Sequence, residues 1–146
     1  MTEDHVLHTL SEDECWRHLR ASSIGRLGVN AGRQPDIFPV NYVLDEDIIV
    51  IRTEAGTKLA GAIMGQNVAF EIDAFDSNSH TGWSVVVHGV ARESRLLVNV
   101  IHDQELPIEP WVGGPKTRHL RVTPLKITGR AIPGPESAIM EEKAEA

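Results

Sequence analysis

Residues 37–58 read IFPVNYVLDEDIIVIRTEAGTK and hold two apolar runs on either side of a short acidic turn. The first run, 37–43, is rich in β-forming residues. It contains Pro39, which cannot donate to a strand ladder and so favours an edge, a bulge or a place where a ligand meets the backbone. The second run, Ile48–Thr53, is typical of a buried strand. Together with an alternating segment at 24–29, the two runs predict an antiparallel meander of three strands.

The rest of the chain adds three strands and a few helices to this meander. Ser11 and Glu14 form a capping box, which predicts a helix over Glu12–Ala21. The further predicted strands are Asn67–Asp73, Trp83–Arg92 with a bend or bulge at Gly89, and Arg118–Ala131 with an interruption at Pro124. Further helices are predicted over 58–64 and 94–105, and turn-rich loops over 30–35, 76–82 and 106–115. Six short strands predict a mainly β fold, a small closed or half-closed barrel, because closure removes exposed strand edges.

The composition limits the kinds of protein that this chain can be. At 146 residues we predict one domain over 11–132, with an N-terminal arm over 1–10 and a polar tail over 133–146. The net charge of −7 opposes non-specific nucleic-acid binding. Cys15 is the single cysteine, so no disulfide can form within the chain. No signal peptide is predicted from residues 1–8, which are polar, and no apolar run reaches the roughly 18 residues of a membrane span. We therefore expect a cytoplasmic protein that makes no membrane contact.

The segment from Arg52 to Lys58 has the residue types of a phosphate site. Arg52 and Thr53 end a strand, Gly56 allows a tight turn, and Lys58 opens a predicted helix whose first N–H groups carry partial positive charge. Arg52 can donate two hydrogen bonds to an anion, and Lys58 adds a point charge. A plain strand-to-helix turn with surface cations explains the segment equally well, and its spacing is not that of a Walker loop.

Other segments give weaker signals. Asn41 is an amide in an apolar strand and can meet the donor and acceptor atoms of a flat heterocycle, although a buried Asn bonded to its neighbours is the more common case. Trp83 and Ser84 open a strand after a loop, where a ring and a hydroxyl can face a ligand; a core Trp with an exposed Ser is the alternative. The run 110–135 contains basic residues and no acids, which favours an anionic ligand, while solvated strand faces also explain each of its residues.

Several kinds of chemistry are not indicated by the sequence. The seven histidines lack metal-ligand spacing, so no metal site is predicted. The chain has neither the nucleophile elbow of hydrolases nor the glycine fingerprint of dinucleotide-binding domains. Cys15 lies on an amphipathic helix and is predicted to pack. No catalytic residue is identified.

Seven short motifs occur in a characteristic order over about residues 8–132. They are Leu10-Ser-x-x-Glu-Cys-Trp16, Ser23-x-Gly-Arg-Leu27, Pro39-Val-Asn-Tyr42, Arg52-Thr-x-x-Gly-x-Lys-Leu59, Val68-x-Phe-Glu-x-Asp73, Gly82-Trp-Ser-Val-Val-Val-x-Gly89 and Val122-x-Pro-x-x-Ile-Thr-Gly-Arg130. Taken together, this series resembles the pyridoxamine 5'-phosphate oxidase-like family of flavin-binding split barrels. The likeness is closest to the short, nitroimidazole-resistance-like branch of that family.

The resemblance implies a six-stranded antiparallel split β-barrel that forms a homodimer, with two FMN sites at the subunit interface. It also implies which residues bind the cofactor. Arg52, Thr53 and Lys58 hold the phosphate, with Leu59 beside them, and Pro39, Val40 and Asn41 line the flavin ring. Trp83 and Ser84 come from the neighbouring subunit or the facing strand, and Trp111 closes the site.

The resemblance also implies a flavin-dependent oxidoreductase that acts on an unidentified small molecule. The chain is shorter than the vitamin B6 oxidases and shows no clear substrate motif at its C-terminal end, so we do not expect it to oxidise pyridoxamine phosphate. The alternative function is that of a non-catalytic carrier or sensor. Because some relatives use other groups, a deazaflavin is an alternative to FMN, and haem a less favoured one.

Overall fold

The computed structural model describes residues 6–31, 34–53, 66–94, 97–108 and 118–133. In chain order these residues form β1 (His8–Thr9), α1 (Glu12–Ala21), β2 (Ile24–Ala31), β3 (Gln34–Asp45), β4 (Ile48–Thr53), β5 (Gln66–Asp76), β6 (Thr81–Glu93), α2 (Leu97–Glu105) and β7 (Arg118–Ile132). The predicted helix over 58–64, most of the predicted 106–115 loop and the tail beyond residue 133 lie outside these residues. Of the helices described, none has the length and apolar character needed to cross a membrane.

The strands close into a ring. The six long strands are antiparallel to their neighbours in the order β7-β4-β3-β2-β5-β6, and β6 pairs again with β7. β1 is a two-residue addition that pairs with β7 through His8–Ala131 and Thr9–Arg130. The prediction of a mainly β, six-stranded antiparallel barrel is therefore confirmed within the described part of the chain, and β1 is the strand that the sequence did not predict.

The barrel interior is apolar because alternate residues of each strand face inward. Leu27 pairs with Phe38 of β3 and with Phe70 of β5, so the three side chains share the inner face. Tyr42 packs edge-on against Phe70 with ring centroids 4.9 Å apart, and its hydroxyl donates to the carbonyl of Leu19 at 2.7 Å. Burial raises the pKa of Tyr42 to about 12, so this hydroxyl keeps its proton and remains a donor at neutral pH.

α1 packs its apolar side on this core. Ser11 caps the helix, because its Oγ accepts from the N–H of Glu14 at 3.2 Å and donates to Oε1 of the same residue at 3.0 Å. Cys15 and Leu19 are each 1% exposed and belong to the core. The predicted bounds of this helix and the packed state of Cys15 are both confirmed.

β7 differs most from its prediction, because it runs unbroken through Pro124. The register of β6 against β7 shifts between His88, which pairs with Lys126, and Gly89, which pairs with Pro124. Leu125 is therefore the extra residue of a bulge. The bulge accommodates a proline without ending the strand. The prediction of a bulge or bend at Gly89 is confirmed as this register shift, whose extra residue lies on β7.

Two turn-rich segments are shorter than predicted. β2 and β3 pair out to Ala31–Gln34, so most of the predicted loop over 30–35 is strand. β5 and β6 pair out to Asp76–Thr81, which leaves only 77–80 as the turn. In both hairpins, cross-strand pairing extends the ladder through residues whose local preference is for turns.

Gly25 and Gly28 of β2 form a matched pair for testing how tightly the barrel is packed. A Cβ on Gly25 would collide with the ring of Phe70 and lie 2.9 Å from the carbonyl oxygen of Glu71, whereas a Cβ on Gly28 would be 3.6 Å from its nearest neighbour, the carbonyl oxygen of Ala69. We expect Gly25→Ala to lower the free energy of unfolding by about 1–3 kcal/mol, the usual effect of overpacking a core. Gly28→Ala should change it by less than about 1 kcal/mol. Urea denaturation followed by tryptophan fluorescence measures both, and equal values for the two variants would contradict this packing.

Candidate functional site

Four of the predicted cofactor-binding residues face outward from the barrel. They are Pro39, Asn41, Arg52 and Ser84, and each is the chain neighbour of a side chain that packs inside, namely Phe38, Tyr42, Ile51 and Val85. The last pair of β3 with β4 is Tyr42–Ile51, so Asn41 and Arg52 are the next residues along two adjacent strands. The structure thus places a predicted ring-lining residue and a predicted phosphate-binding residue side by side on one face.

Val40 and Trp83 point the other way. Val40 packs against the core, so any contact it makes with a ligand on the outer face comes from its backbone. Trp83 also packs against the core, and its ring stacks on the imidazole of His18 with centroids 3.8 Å apart and planes inclined by 20°. Burial is the main reason that the pKa of His18 lies below its usual value. The stacked pair lines a surface cavity of about 470 Å³, together with Phe75 and Gly82.

A histidine from the neighbouring strand contacts Arg52. Arg52 and His119 lie directly opposite each other on β4 and β7, and Nε of Arg52 donates to Nε2 of His119 at 3.2 Å. His119 is 1% exposed. Its burial, and then the positive charge of Arg52, lower the pKa of His119, so the imidazole is neutral near pH 7 and can accept this bond. The bond uses one N–H of the guanidinium, which carries four more on its two Nη atoms.

A partly buried ion-pair cluster ties α2 to the same face of the barrel. Arg121 donates to Oδ1 of Asp103 at 2.5 Å and to Oδ2 of Asp45 at 2.7 Å. Asp103 is fully buried, and Ser94 donates to its other oxygen. The hydrogen bond from Arg121 is the main reason that the pKa of Asp45 lies below its usual value. His102 also contacts Asp45, at 3.0 Å.

This cluster contains a group with the residue types of a metal site. Asp45, His102 and Asp103 offer atoms that all lie within 4.8 Å of one another. The guanidinium of Arg121 pairs with both carboxylates, however, and so puts positive charge where a cation would need to be. The sequence did not predict the cluster. The sequence feature that relates to this cluster is the basic run 110–135, which contains His119 and Arg121. A run of basic residues does not show which acidic residues they pair with.

A second charged group continues across the outer face. Arg26 pairs with Pro39 on one side and with Glu71 on the other. Its guanidinium lies 2.9 Å from Asp73 and 3.4 Å from Glu71. Burial and then the neighbouring Asp73 raise the pKa of Glu71 to about 7. Asp73 pairs in turn with Ser84 of β6. One charged band therefore runs across the outer face between the predicted site residues of β3 and those of β6.

The remaining predicted site residues cannot be placed in this way. Thr53 ends β4, but its side chain is outside the described part of the structure. Lys58, Leu59 and Trp111 lie wholly outside it. Their roles stay predictions.

The closed ring of six antiparallel strands, with helices packed against it, defines a split barrel of the pyridoxamine 5'-phosphate oxidase-like type. The model of one family, Pyridoxamine 5'-phosphate oxidase, matches residues 11–131. The chain belongs to this family, and the resemblance predicted from its motifs is confirmed.

Individual relatives agree with this assignment. The uncharacterized protein Rv0080 of Mycobacterium tuberculosis is 33% identical over 125 residues, which is 82% of each chain. The structure of an FAD binding protein from Mycobacterium smegmatis is 37% identical, with a TM-score of 0.73 over 85% of this chain and 97% of that one. A structure from Bacteroides thetaiotaomicron, described as a candidate 5-nitroimidazole antibiotic resistance protein, has a TM-score of 0.68 over 90% of this chain and 95% of that one. Its identity is 10%, so this last likeness concerns the fold alone.

The cluster around Arg121 gives a prediction about stability. Arg121→Gln removes the cation that pairs with the fully buried Asp103, and leaving a buried charge unpaired costs about 3–5 kcal/mol. We expect a loss of that size in the free energy of unfolding, measured by urea denaturation at pH 7. Arg130→Gln is the matched control, because Arg130 is an exposed arginine on the same strand. It should change the free energy by no more than about 0.5 kcal/mol. Similar losses in the two variants would mean that the cluster contributes nothing specific.

Proposed function

We propose that this chain binds a phosphorylated flavin on the outer face of its barrel and uses it to transfer electrons to or from a small molecule. FMN is the cofactor that the family resemblance implies. FAD is named for the M. smegmatis protein, to which the chain is 37% identical. Both flavins carry the same three-ring system and a phosphate at the end of the same ribityl chain, so one set of contacts serves either.

The observation that carries the proposal is the environment of Arg52. Arg26 and Arg121 each face two carboxylates, whereas Arg52 faces a neutral imidazole. The charge of Arg52 is therefore not cancelled by that partner. In a chain of net charge −7, a partly buried guanidinium beside Asn41 whose described partner is a neutral imidazole suits an anionic ligand.

The other predicted residues complete the proposed site. Thr53, Lys58 and Leu59 follow Arg52 in the chain and act with it at the phosphate. Pro39 and Asn41 lie against the flavin ring through their side chains and Val40 through its backbone. An amide beside the ring matches the mixed donor and acceptor atoms of a flat heterocycle.

The site needs two copies of the chain. β3 and β6 are separated by β2 and β5 in the sheet. Asn41 and Ser84 of one chain are thus three strand spacings apart, roughly 14 Å at about 4.8 Å per spacing, which is more than a three-ring system can bridge edge to edge. We therefore assign Ser84, together with the backbone of Trp83, at each site to the second subunit of a homodimer, with Trp111 closing the site.

The chemistry divides between cofactor and protein. A bound flavin supplies hydride or electron transfer, while the protein binds it, orients it and sets the local field. A reducible small molecule fits such a site by stacking on the open face of the ring.

A carrier or sensor would use the same contacts without turnover, so activity with NAD(P)H and an acceptor separates it from an enzyme. The absorption spectrum of the purified protein separates a flavin from a deazaflavin or haem.

The phosphate role of Arg52 is tested by comparing FMN with riboflavin, which lacks the phosphate. We expect Arg52→Gln to weaken FMN binding about 10- to 100-fold, since a charge-assisted hydrogen bond contributes about 1.5–3 kcal/mol. Riboflavin binding should not change, because it does not involve the phosphate. Flavin fluorescence titration measures both dissociation constants.

Arg20→Gln is the control for that experiment, because it removes the same charge from an exposed position in the last turn of α1. It should leave the FMN affinity within about a factor of two. A wild-type protein that binds no flavin would refute the proposed function. An equal weakening of FMN and riboflavin by Arg52→Gln would refute the phosphate contact alone.

The two-subunit site makes a prediction about mass. Light scattering at micromolar concentration should give twice the 16.1 kDa of one chain, and added FMN should favour the dimer because the ligand contacts both copies. A monomer that binds one FMN with unchanged mass would show that each site is built from a single chain.

A further inference from the structure

His119 is a polar side chain covered on the outer face of β7. It is 1% exposed, and among the described residues its Nδ1 atom has no hydrogen-bond partner. A buried, unpaired N–H costs about 1–3 kcal/mol. An apolar residue would fill the same space without this cost, so packing alone does not explain a histidine at this position.

The atom that is engaged is Nε2, which accepts from Nε of Arg52. Because an arginine Nε always carries hydrogen, this bond assigns the lone pair of the neutral ring to Nε2 and the proton to Nδ1. The charged groups that face the imidazole are Arg52 of β4, Asp103 of α2 and Arg121 of β7. Asp103 is itself paired with Arg121, so the surroundings favour the neutral ring over an imidazolium.

We propose that His119 is the positioning residue for Arg52, which turns the two Nη atoms of the guanidinium toward the flavin phosphate. A guanidinium can donate two hydrogen bonds to an anion from its side edge, which consists of Nε and one Nη, or from its end edge, which consists of both Nη atoms. His119 occupies the side edge and leaves the end edge for the ligand. This inference rests on the phosphate role that we propose for Arg52.

A neutral partner suits this task better than an acid would. An Asp or Glu at position 119 would also hold the guanidinium, but it would cancel the positive charge that an anion needs. The imidazole fixes the geometry and keeps the charge. Holding the guanidinium before the ligand arrives also reduces the ordering that binding requires.

The backbone at His119 is held in place by hydrogen bonds to neighbouring segments. Position 119 lies within the β4–β7 ladder, and its carbonyl accepts from the N–H of Ser94 at 3.0 Å. The next residue but one, Arg121, anchors α2 through Asp103. Arg52 is therefore aligned by a side chain on a fixed strand and not by a loop.

The test compares two replacements of His119. His119→Gln keeps an acceptor that can reach Nε of Arg52, while His119→Phe keeps a ring of similar size with no acceptor. We expect His119→Phe to weaken FMN binding about tenfold and to leave riboflavin binding unchanged. His119→Gln should restore FMN affinity to within about a factor of two of the wild type.

The outcomes distinguish this inference from the proposed function. If Arg52→Gln weakens FMN binding and His119→Phe does not, the positioning role is wrong while the phosphate site stands. If wild-type protein binds no flavin, the proposed function itself fails. If Arg52→Gln leaves the FMN affinity unchanged, the phosphate contact fails, and with it the positioning role, while flavin binding stands. If His119→Phe weakens FMN and riboflavin equally, His119 supports the fold and not Arg52.

A measurement on the unaltered protein covers the case in which His119→Phe does not fold. The ¹⁵N chemical shifts of the His119 ring, recorded near pH 7 without flavin, should show an unprotonated Nε2 and a protonated Nδ1. The Nε–H signal of Arg52 should be protected from exchange with water. A protonated Nε2 or a rapidly exchanging Arg52 Nε–H would overturn the inference.

Discussion

Closure of the sheet by the β6–β7 ladder is the constraint on which the rest of the structure depends. The ladder runs from Gly82–Ile132 to Glu93–Leu120 and encloses the apolar interior. Once the interior is enclosed, alternation decides which side chains of each strand face outward. Ile51 is fully buried in the core, and Arg52 must therefore face outward beside β7. The candidate site is positioned by the packing of the side chains behind it.

Elements with local signals could be predicted closely from the sequence. α1 has a capping box and β4 is an apolar run between turn residues, and both have the predicted bounds. The ends of β3, β5 and β6 could not be predicted in the same way, because ladders carry these strands into turn-forming residues. The passage of β7 through Pro124 depends on a bulge against His88 and Gly89, which lie far away in the sequence.

The site shows the same division between local and distant information. Arg52 could be chosen because a strand-end cation before a glycine turn is a local pattern. His119 could not, because it lies 67 residues away and meets Arg52 only through the pairing of β4 with β7. The motifs also group Val40 with Asn41 and Trp83 with Ser84, yet neighbours on a strand point to opposite faces. Adjacency in a motif thus shows which segment forms a site, and the pleat decides which side chains take part.

The distribution of charge explains how an acidic chain can hold an anion. At a net charge of −7 the protein repels anions at long range, so affinity has to come from short-range contacts with individual cations. Arg121 lies two residues along β7 from the partner of Arg52, and Arg26 lies on the same outer face. Each of them is paired with two carboxylates, which weakens the positive field it can offer a ligand. Each arginine also offsets part of the negative charge of its two carboxylates, which therefore repel an incoming phosphate less than unpaired acids would. The neighbouring arginines pair with carboxylates of this chain, whereas Arg52 has an uncharged partner. The positive field of this face is therefore concentrated at Arg52.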